Sequence, residues 1–230
     1  MNYFAHGRHF VDEPYFLAGT ALPDWLNVVN RRVRLRPKHI EPHLEDDEPR
    51  LAALARGVQR HHEDDTWFHV TATFTELSWE LTDRARKALP HDEGFRPSFL
   101  GHILVEILLD AELIEENPAQ LEAYYAAVDA LDPQAVEQLV SCMAGRPVER
   151  IAQMLPLFSQ ERFLSDYSDD DKLGYRLNQV MRRVGLPELP VGFREVLSDA
   201  RVLVRQSRDE LLTPPANHKP STTTAQHQGE

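Results

Sequence analysis

The apolar positions of the chain repeat with helical spacing over most of its length. In residues 98–116 they recur every three or four positions and define one helix face, with further apolar side chains around it. Asn117-Pro118 and Asp132-Pro133 each place a capping side chain before a proline suited to a first helical turn. The pattern predicts an all-α, single-domain helical bundle. Its predicted helices are 14–32, 46–82 (one long helix or two abutting ones), 98–116, 118–130, 133–144, 147–155, 160–167, 170–184 and 191–210.

Two segments break this pattern. Residues 33–49 mix arginine, proline, histidine and acidic residues, and they are predicted to form an exposed loop. From Thr213 the composition shifts to proline, serine, threonine, glutamine and histidine, which cannot bury apolar area. We therefore expect a helical domain over 1–212, with a C-terminal helix at 190–211 packed on it, and a disordered tail over 213–230.

Charge and cysteine content narrow the class of protein. The chain of 230 residues has a formal net charge of −12, which argues against a nucleic-acid binder, because such proteins need cations to neutralise phosphates. Cys142 is the only cysteine. No apolar run approaches the roughly 18 residues that span a bilayer. These features predict a cytoplasmic protein that does not bind a membrane.

One stripe of polar residues interrupts the apolar helix 98–116. His102, Glu106 and Asp110 are spaced by four residues and therefore share one side of the helix. Burying carboxylates without partners is costly, and a metal ion is one way to offset that cost. The alternative is that the stripe faces solvent or meets arginines of a neighbouring helix.

A second group with the same spacing lies in residues 57–69. His61, Asp65 and His69 again follow one another at intervals of four. Imidazole and carboxylate ligands suit zinc, manganese or iron. A charged, solvated helical turn is the alternative. Asp24 and His6 are further candidates, although Asp24 alone is typical of a helix cap and His6 of a core or surface histidine.

Several short motifs, in order along the chain, resemble the acyl carrier protein phosphodiesterase family, which is similar to divergent HD-type metal-dependent phosphohydrolases. The opening Met1–His6 matches the family's start, and Gly19 followed by Asp24 and Trp25 matches its Gly-Asn-Leu-Leu-Ala-Asp-Phe segment. Further matches are Gly57, His61 and Asp65 at the family's spacing, His102-Ile103-Leu104, and the late group Phe163-Leu164, Tyr167, Leu173, Leu177 and Met181-Arg182-Arg183. Gly101 replaces the family's aspartate before the helix histidine, and His69 replaces another aspartate.

The resemblance implies a metal-dependent phosphodiesterase that releases phosphopantetheine from acyl carrier protein, with manganese, or else zinc or iron. It implies that the metal ligands are Asp24, His61, Asp65 and His102. Glu106 is then a replacement ligand or general base, and His6 or His69 protonates the leaving oxygen or supports the ligands. The His102–Glu106 pair also resembles helical zinc phosphodiesterases of the phospholipase C kind.

A basic segment provides a candidate docking surface for an acidic carrier protein, since opposite charges steer such partners together. Its cations are Arg31, Arg32, Arg34, Arg36 and Lys38. The alternative is a solvated loop that balances the acidic run 45–48. Two other functions also fit the sequence: a related metal hydrolase of a phosphorylated small molecule, and a non-catalytic helical interaction protein, which the Gly101 replacement favours.

Overall fold

The computed structural model describes residues 1–90, 94–216 and 218. Within them the chain is helical and contains no strand. The helices are α1 (Tyr3–Gly7), α2 (Pro14–Val29), α3 (Pro37–Ile40), α4 (Pro49–Phe68), α5 (Ala72–Ala88), α6 (Pro97–Glu116), α7 (Pro118–Asp129), α8 (Pro133–Ala144), α9 (Ile151–Glu161), α10 (Asp170–Val184), α11 (Arg194–Gln206) and α12 (Arg208–Leu211). Short 3-10 turns lie at Glu41–His43, Phe163–Ser168 and Val191–Phe193. The predicted all-α fold is confirmed.

The helix boundaries differ from the prediction in a few places. Residues 46–82 form two helices, because Thr71 caps a new one by accepting a hydrogen bond from the Phe74 N–H. The predicted helix 160–167 is absent: α9 ends at Glu161 and a 3-10 turn follows at Phe163–Ser168. The predicted helix 147–155 begins later and runs to Glu161, with Pro156 inside it. The short helix α1, which carries His6, was not predicted.

The prediction of an exposed loop at 33–49 is wrong for its apolar positions. Val33, Leu35 and Ile40 are buried, at 3%, 3% and 2% exposure. Because these side chains alternate with charged ones, the segment is anchored to the core while its arginines point outward. It also contains α3 and a 3-10 turn.

Glycines allow two helix pairs to approach with their backbones almost in contact. A Cβ atom on Gly57 would lie 2.1 Å from the Phe16 carbonyl oxygen and 2.7 Å from the Gly19 Cα, where α4 crosses α2. A Cβ atom on Gly101 would lie 2.3 Å from Thr82 Oγ1, where α6 crosses α5. These crossings set the positions of α2, α4 and α6, which carry most of the candidate site residues.

Helix α6 runs through the centre of the protein. Its residues Leu104, Leu108 and Leu109 are fully buried, and α1, α5, α7 and α11 all pack against it. The C-terminal α11 also contacts α5. Among the described residues, no helix has the length and apolar character needed to cross a membrane.

The predicted tail from Thr213 lies largely outside the described residues. Residues 213–216 and 218 are described, and the His218 ring lies 6.0 Å from the Trp67 ring. Residues 217 and 219–230 are outside the described part of the chain.

Candidate metal centre

Asp110 holds α1 in place beside α4 and α6. Its carboxylate accepts hydrogen bonds from the Phe4 N–H at 2.9 Å and the Ala5 N–H at 2.7 Å, groups that a short helix leaves without an internal partner. Burial raises the pKa of Asp110 to about 7 against the opposing effect of these two bonds. Asp110 therefore positions the backbone next to His6 and is not itself part of the site.

The first cluster consists of His6, His61 and Asp65, and we call it the first triad. One ligand atom from each lies within 4.8 Å of the others. His6 Nε2 lies 3.3 Å from Asp65 Oδ1, and His61 Nε2 lies 3.4 Å from Asp65 Oδ2. The two imidazole rings stack with their centres 4.3 Å apart. The short helix at the start of the chain thus converges with α4 on one carboxylate.

Both histidines of the first triad are held by their other ring nitrogen. His61 Nδ1 lies 2.8 Å from the Thr20 carbonyl oxygen, which can only accept, so Nδ1 carries a proton. His6 Nδ1 lies 3.3 Å from Asp64 Oδ2. Asp64 is itself fixed by Arg60 at 2.9 Å and by the Trp67 indole N–H at 3.3 Å. Anchoring of this kind, through carbonyl or carboxylate, is typical of metal-binding histidines.

This anchoring leaves the Nε2 atoms facing the Asp65 carboxylate. Burial lowers the pKa of His6, but its contacts with Asp64 and with Asp65 at 3.3 Å outweigh that effect and raise it overall. With a proton on Nδ1, a neutral ring would direct a lone pair toward a negative oxygen, which is unfavourable unless a proton or a cation lies between them. The arrangement of the first triad therefore favours a positive charge between its ligand atoms.

The second triad consists of His69, His102 and Glu106. Their ligand atoms also lie within 4.8 Å of one another. His69 Nε2 lies 2.7 Å and His102 Nε2 lies 3.4 Å from the same oxygen, Glu106 Oε1. The second triad is more open than the first, since the side chain of His102 is 44% exposed and that of His69 is 28% exposed.

The amino group of Met1 joins the two triads. It lies 2.8 Å from Asp65 Oδ1 and 3.3 Å from Glu106 Oε1. Burial lowers the pKa of this ammonium group, but the charges of Glu106 and Asp65 outweigh that effect and raise it overall. Carboxylates from both triads thus point toward one position that attracts positive charge.

The carboxyl groups of the site differ in their tendency to ionise. Burial alone would raise the pKa values of Asp65 and Glu106, but neighbouring histidines and the Met1 ammonium hold both well below their usual range. At Asp24, burial is the dominant effect and raises the pKa, although His61 and His6 oppose it. Asp65 and Glu106 are therefore the stronger cation ligands.

A cavity of about 650 Å³ opens beside the triads. Asp24 and Glu106 both line it, next to the aromatic rings of Tyr3 and Trp25. Asp24 belongs to neither triad, although it interacts electrostatically with His6 and His61. The cavity gives a bound molecule access to the carboxylates of Asp24 and Glu106.

The predicted basic surface is divided by the fold. Arg31 lines the 650 Å³ cavity. Arg32, Arg34, Arg36 and Lys38 line a separate cleft of about 200 Å³. Arg146 and His39 complete that basic cleft, and the Arg146 guanidinium donates a hydrogen bond to the Arg32 carbonyl oxygen at 2.6 Å.

The structure brings together His61 with Asp65, and His102 with Glu106, as their spacing predicted. The structure places His69, which was predicted with His61 and Asp65, beside His102 and Glu106 instead, and it leaves Asp24 and His102 outside the group of His61 and Asp65. It adds His6 to the first of these groups. The sequence did not predict the anchoring roles of the Thr20 carbonyl, Asp64 and Asp110. Two of them carried a sequence signal, since Asp64 pairs with Arg60 at i, i+4 and Asp110 continues the stripe of His102 and Glu106.

Gly101 stands where the family that the sequence resembles has an aspartate, and this position faces α5 and not the triads. Any side chain there would collide with α5, because its Cβ atom would lie 2.3 Å from Thr82 Oγ1 and 2.5 Å from the Ser78 carbonyl oxygen. Glu106, about one turn further along α6, supplies the carboxylate on the side that faces the site.

Comparisons with known proteins do not assign the chain to a family. No family model, no curated protein and no solved structure matches it. The fold and site define an all-helical protein with two adjoining histidine–carboxylate triads, and the family resemblance stays a prediction.

Proposed function

We propose that the protein is a metal-dependent phosphodiester hydrolase whose ion is held by the first triad and Glu106. The observation that carries the proposal is the convergence of two buried imidazoles on one carboxylate, with His6 Nε2 at 3.3 Å and His61 Nε2 at 3.4 Å from the oxygens of Asp65. A divalent cation between these atoms would offset the desolvation of the carboxylate and satisfy both nitrogens at once.

The donor set fits such an ion. His6, His61, Asp65 and Glu106 offer two imidazoles and two carboxylates, a mixture that suits manganese, zinc or iron. In this assignment His6 is a ligand, in place of the proton donor that the family resemblance implies, because Asp64 fixes its other ring nitrogen.

The ion and the two groups of residues around it have different tasks. A bound divalent ion would polarise a phosphoryl oxygen and lower the pKa of water. His6, His61 and Asp65 would hold the ion. His102 and His69, which share Glu106 Oε1 and are partly exposed, exchange protons with the attacking water and the leaving oxygen.

Holo-carrier protein is the substrate that the family resemblance implies, and a phosphorylated small molecule is the alternative. The basic cleft supports an acidic partner, because four cations of the segment 32–38 and Arg146 meet there. None of these five forms an ion pair within the described chain. The fold proposed from the resemblance is of the HD type.

The test measures metal content and turnover on the same samples. The full chain is supplied with Mn²⁺, Zn²⁺ or Fe²⁺, freed of excess ion, analysed for bound metal, and assayed with bis(p-nitrophenyl) phosphate. We expect stoichiometric metal and hydrolysis, both lost in Asp65→Asn.

The matched control is Asp46→Asn, which removes a carboxylate that pairs with His43 at 3.0 Å away from the triads. This variant should keep both the metal and the activity. A wild-type protein that binds none of the three metals would overturn the proposal and leave a non-catalytic helical protein.

A further inference from the structure

The 650 Å³ cavity is walled by faces of four helices. These are α2, α6, α9 and α10, and Tyr3 of the short helix α1 and the 3-10 turn Phe163–Ser168 complete the lining. On α6, Phe99 and Ile103 continue the wall away from Glu106, so the apolar wall extends by about 10 Å over two helical turns. Its volume lies within the range of about 300–1,000 Å³ that is usual for small-molecule sites.

The floor of the cavity is aromatic and preformed. The Phe158 ring lies 5.4 Å from Tyr3, 5.4 Å from Trp25 and 5.2 Å from Phe163, in edge-to-face arrangements. Trp25 is fully buried and Phe158 is 6% exposed. Side chains packed in this way do not rearrange easily, and the apolar surface is therefore available without a cost of reorganisation.

The mouth of the cavity leaves apolar side chains in water. Leu157 is 57% exposed, Val28 is 39% exposed and Val184 is 38% exposed, and all three line the cavity. A concave apolar surface that remains exposed at its rim is typical of a ligand-binding groove. Covering these three side chains would give a ligand with an apolar part additional binding energy.

Two arginines in the lining of the cavity offset the negative charge of its carboxylates. Arg176 also lines it, but Asp166 at 2.7 Å and Glu161 at 3.5 Å neutralise that guanidinium. Arg31 and Arg183 have no ion pair in the part of the chain that the structure describes, and the Arg31 guanidinium donates to the Arg183 carbonyl oxygen. Their charges balance the carboxylates of Asp24 and Glu106 across the cavity.

We propose that the substrate is an amphipathic phosphoester, with an alkyl chain that lies in this cavity and a phosphoryl group at the triads. The proposal rests on the hydrolase function and narrows its substrate class. A wholly polar substrate, such as a sugar phosphate, would leave the aromatic floor without a partner. An alkyl chain would cover Phe99, Phe158 and Leu157 at no polar cost.

The reaction adds water across the P–O bond. In a p-nitrophenyl alkyl phosphate, the oxygen of water bonds to phosphorus, the bond to the aryl oxygen breaks, and p-nitrophenolate leaves with the electron pair. The products are an alkyl phosphate and p-nitrophenolate, and the released proton passes to His102 or His69. No oxidant or second substrate is required.

Two measurements on the metal-supplied full chain test the proposal. The first is the binding of methyl-, butyl- and octylphosphonate, followed by calorimetry, which does not depend on turnover. The second is kcat/KM for the p-nitrophenyl esters of methyl, butyl and octyl phosphate. We expect affinity and kcat/KM to rise with chain length, by roughly fourfold for each buried methylene.

A matched pair of variants tests where the alkyl chain of the substrate binds. Leu157→Asp places a charge at the mouth of the cavity and should abolish the dependence of affinity and kcat/KM on the length of the alkyl chain. Val202→Asp makes a similar change at a 52% exposed helical position that does not line the cavity, and it should behave as the wild type does.

The outcomes separate this proposal from the hydrolase function. If all esters are turned over at equal rates and all phosphonates bind with equal affinity, the proposed site for the alkyl chain is overturned and the hydrolase function stands. Binding that strengthens with chain length, without any turnover, supports the pocket and overturns the hydrolase. A dependence on chain length that survives Leu157→Asp, or that is lost equally in Val202→Asp, overturns the placement in this cavity.

Discussion

The two triads contain the same kinds of residue but differ in how the protein supports them. In the first triad, each histidine is held by a second group, the Thr20 carbonyl or Asp64, and both rings are almost fully buried. In the second triad, His69 and His102 share one oxygen of Glu106 and remain partly open to solvent. Anchored, desolvated imidazoles suit metal binding, whereas accessible ones suit proton exchange with a substrate or water.

The largest expected effect comes from separating the helices that build the first triad. Gly57→Ala would place a Cβ atom 2.1 Å from the Phe16 carbonyl oxygen, and α4 must then move away from α2. We expect the free energy of unfolding to fall by about 3 kcal/mol, measured by urea denaturation.

The control for this variant is Gly174→Ala in α10, where a Cβ atom would meet nothing within 4 Å. It should leave stability unchanged or raise it by about 0.4–1 kcal/mol, since alanine favours a helix. Equal losses in both variants would show that the α2–α4 crossing is not unusually close.

A smaller effect should distinguish anchored from unanchored histidines. Asp64→Asn weakens the group that orients His6, and we expect metal affinity to fall by about 10- to 100-fold. His102→Ala should reduce turnover while changing metal affinity much less. Metal titration of both variants checks this; a larger loss of affinity in His102→Ala would mean that the ion sits in the second triad.

The smallest effect concerns Asp110, which continues the stripe of His102 and Glu106 into the core. Its pKa of about 7 exceeds the ordinary value of 3.8, so the folded state retains a proton that the unfolded state releases. The contribution of Asp110 to the free energy of unfolding is therefore fully present below about pH 4, and it is lost as the pH rises through 7.

We expect the wild type to lose roughly 2 kcal/mol of stability relative to Asp110→Asn between pH 5 and pH 7. Denaturation curves of the two proteins at several pH values measure this difference. A constant difference over that range would show that Asp110 is ionised in the folded protein.

Much of the fold was predictable because local rules determine helices. The boundaries of 118–130, 133–144 and 170–184 agree with α7, α8 and α10 to within a residue, since Asn117, Asp132 and Asp169 cap them with their side chains. Helix α1 was not predicted, because its start is held by Asp110, more than a hundred residues away.

The candidate site was also predictable only where it depends on residues close together in the chain. Spacing of four residues on a helix was sufficient to predict that His61 would lie beside Asp65 and His102 beside Glu106, because neighbours on a helix face are adjacent whatever surrounds them. Spacing carried no information on how Arg31 and the segment 32–38 would be distributed. Because Val33 and Leu35 are buried, the segment is fixed to the core. Arg31 then lies at the 650 Å³ cavity, and the cations of residues 32–38 lie at the separate basic cleft.

The amino-acid sequence by itself determined the helices, their polar stripes and the types of ligand atom available, because each of these depends on residues close together in the chain. Only the tertiary structure decided that His6 joins His61 at Asp65, that Met1 lies between the two triads, and that an apolar cavity opens beside them. Those features depend on contacts between distant helices, of the Gly19 backbone with the Gly57 backbone and of the Asp110 side chain with the backbone of α1, whose geometry no local pattern encodes.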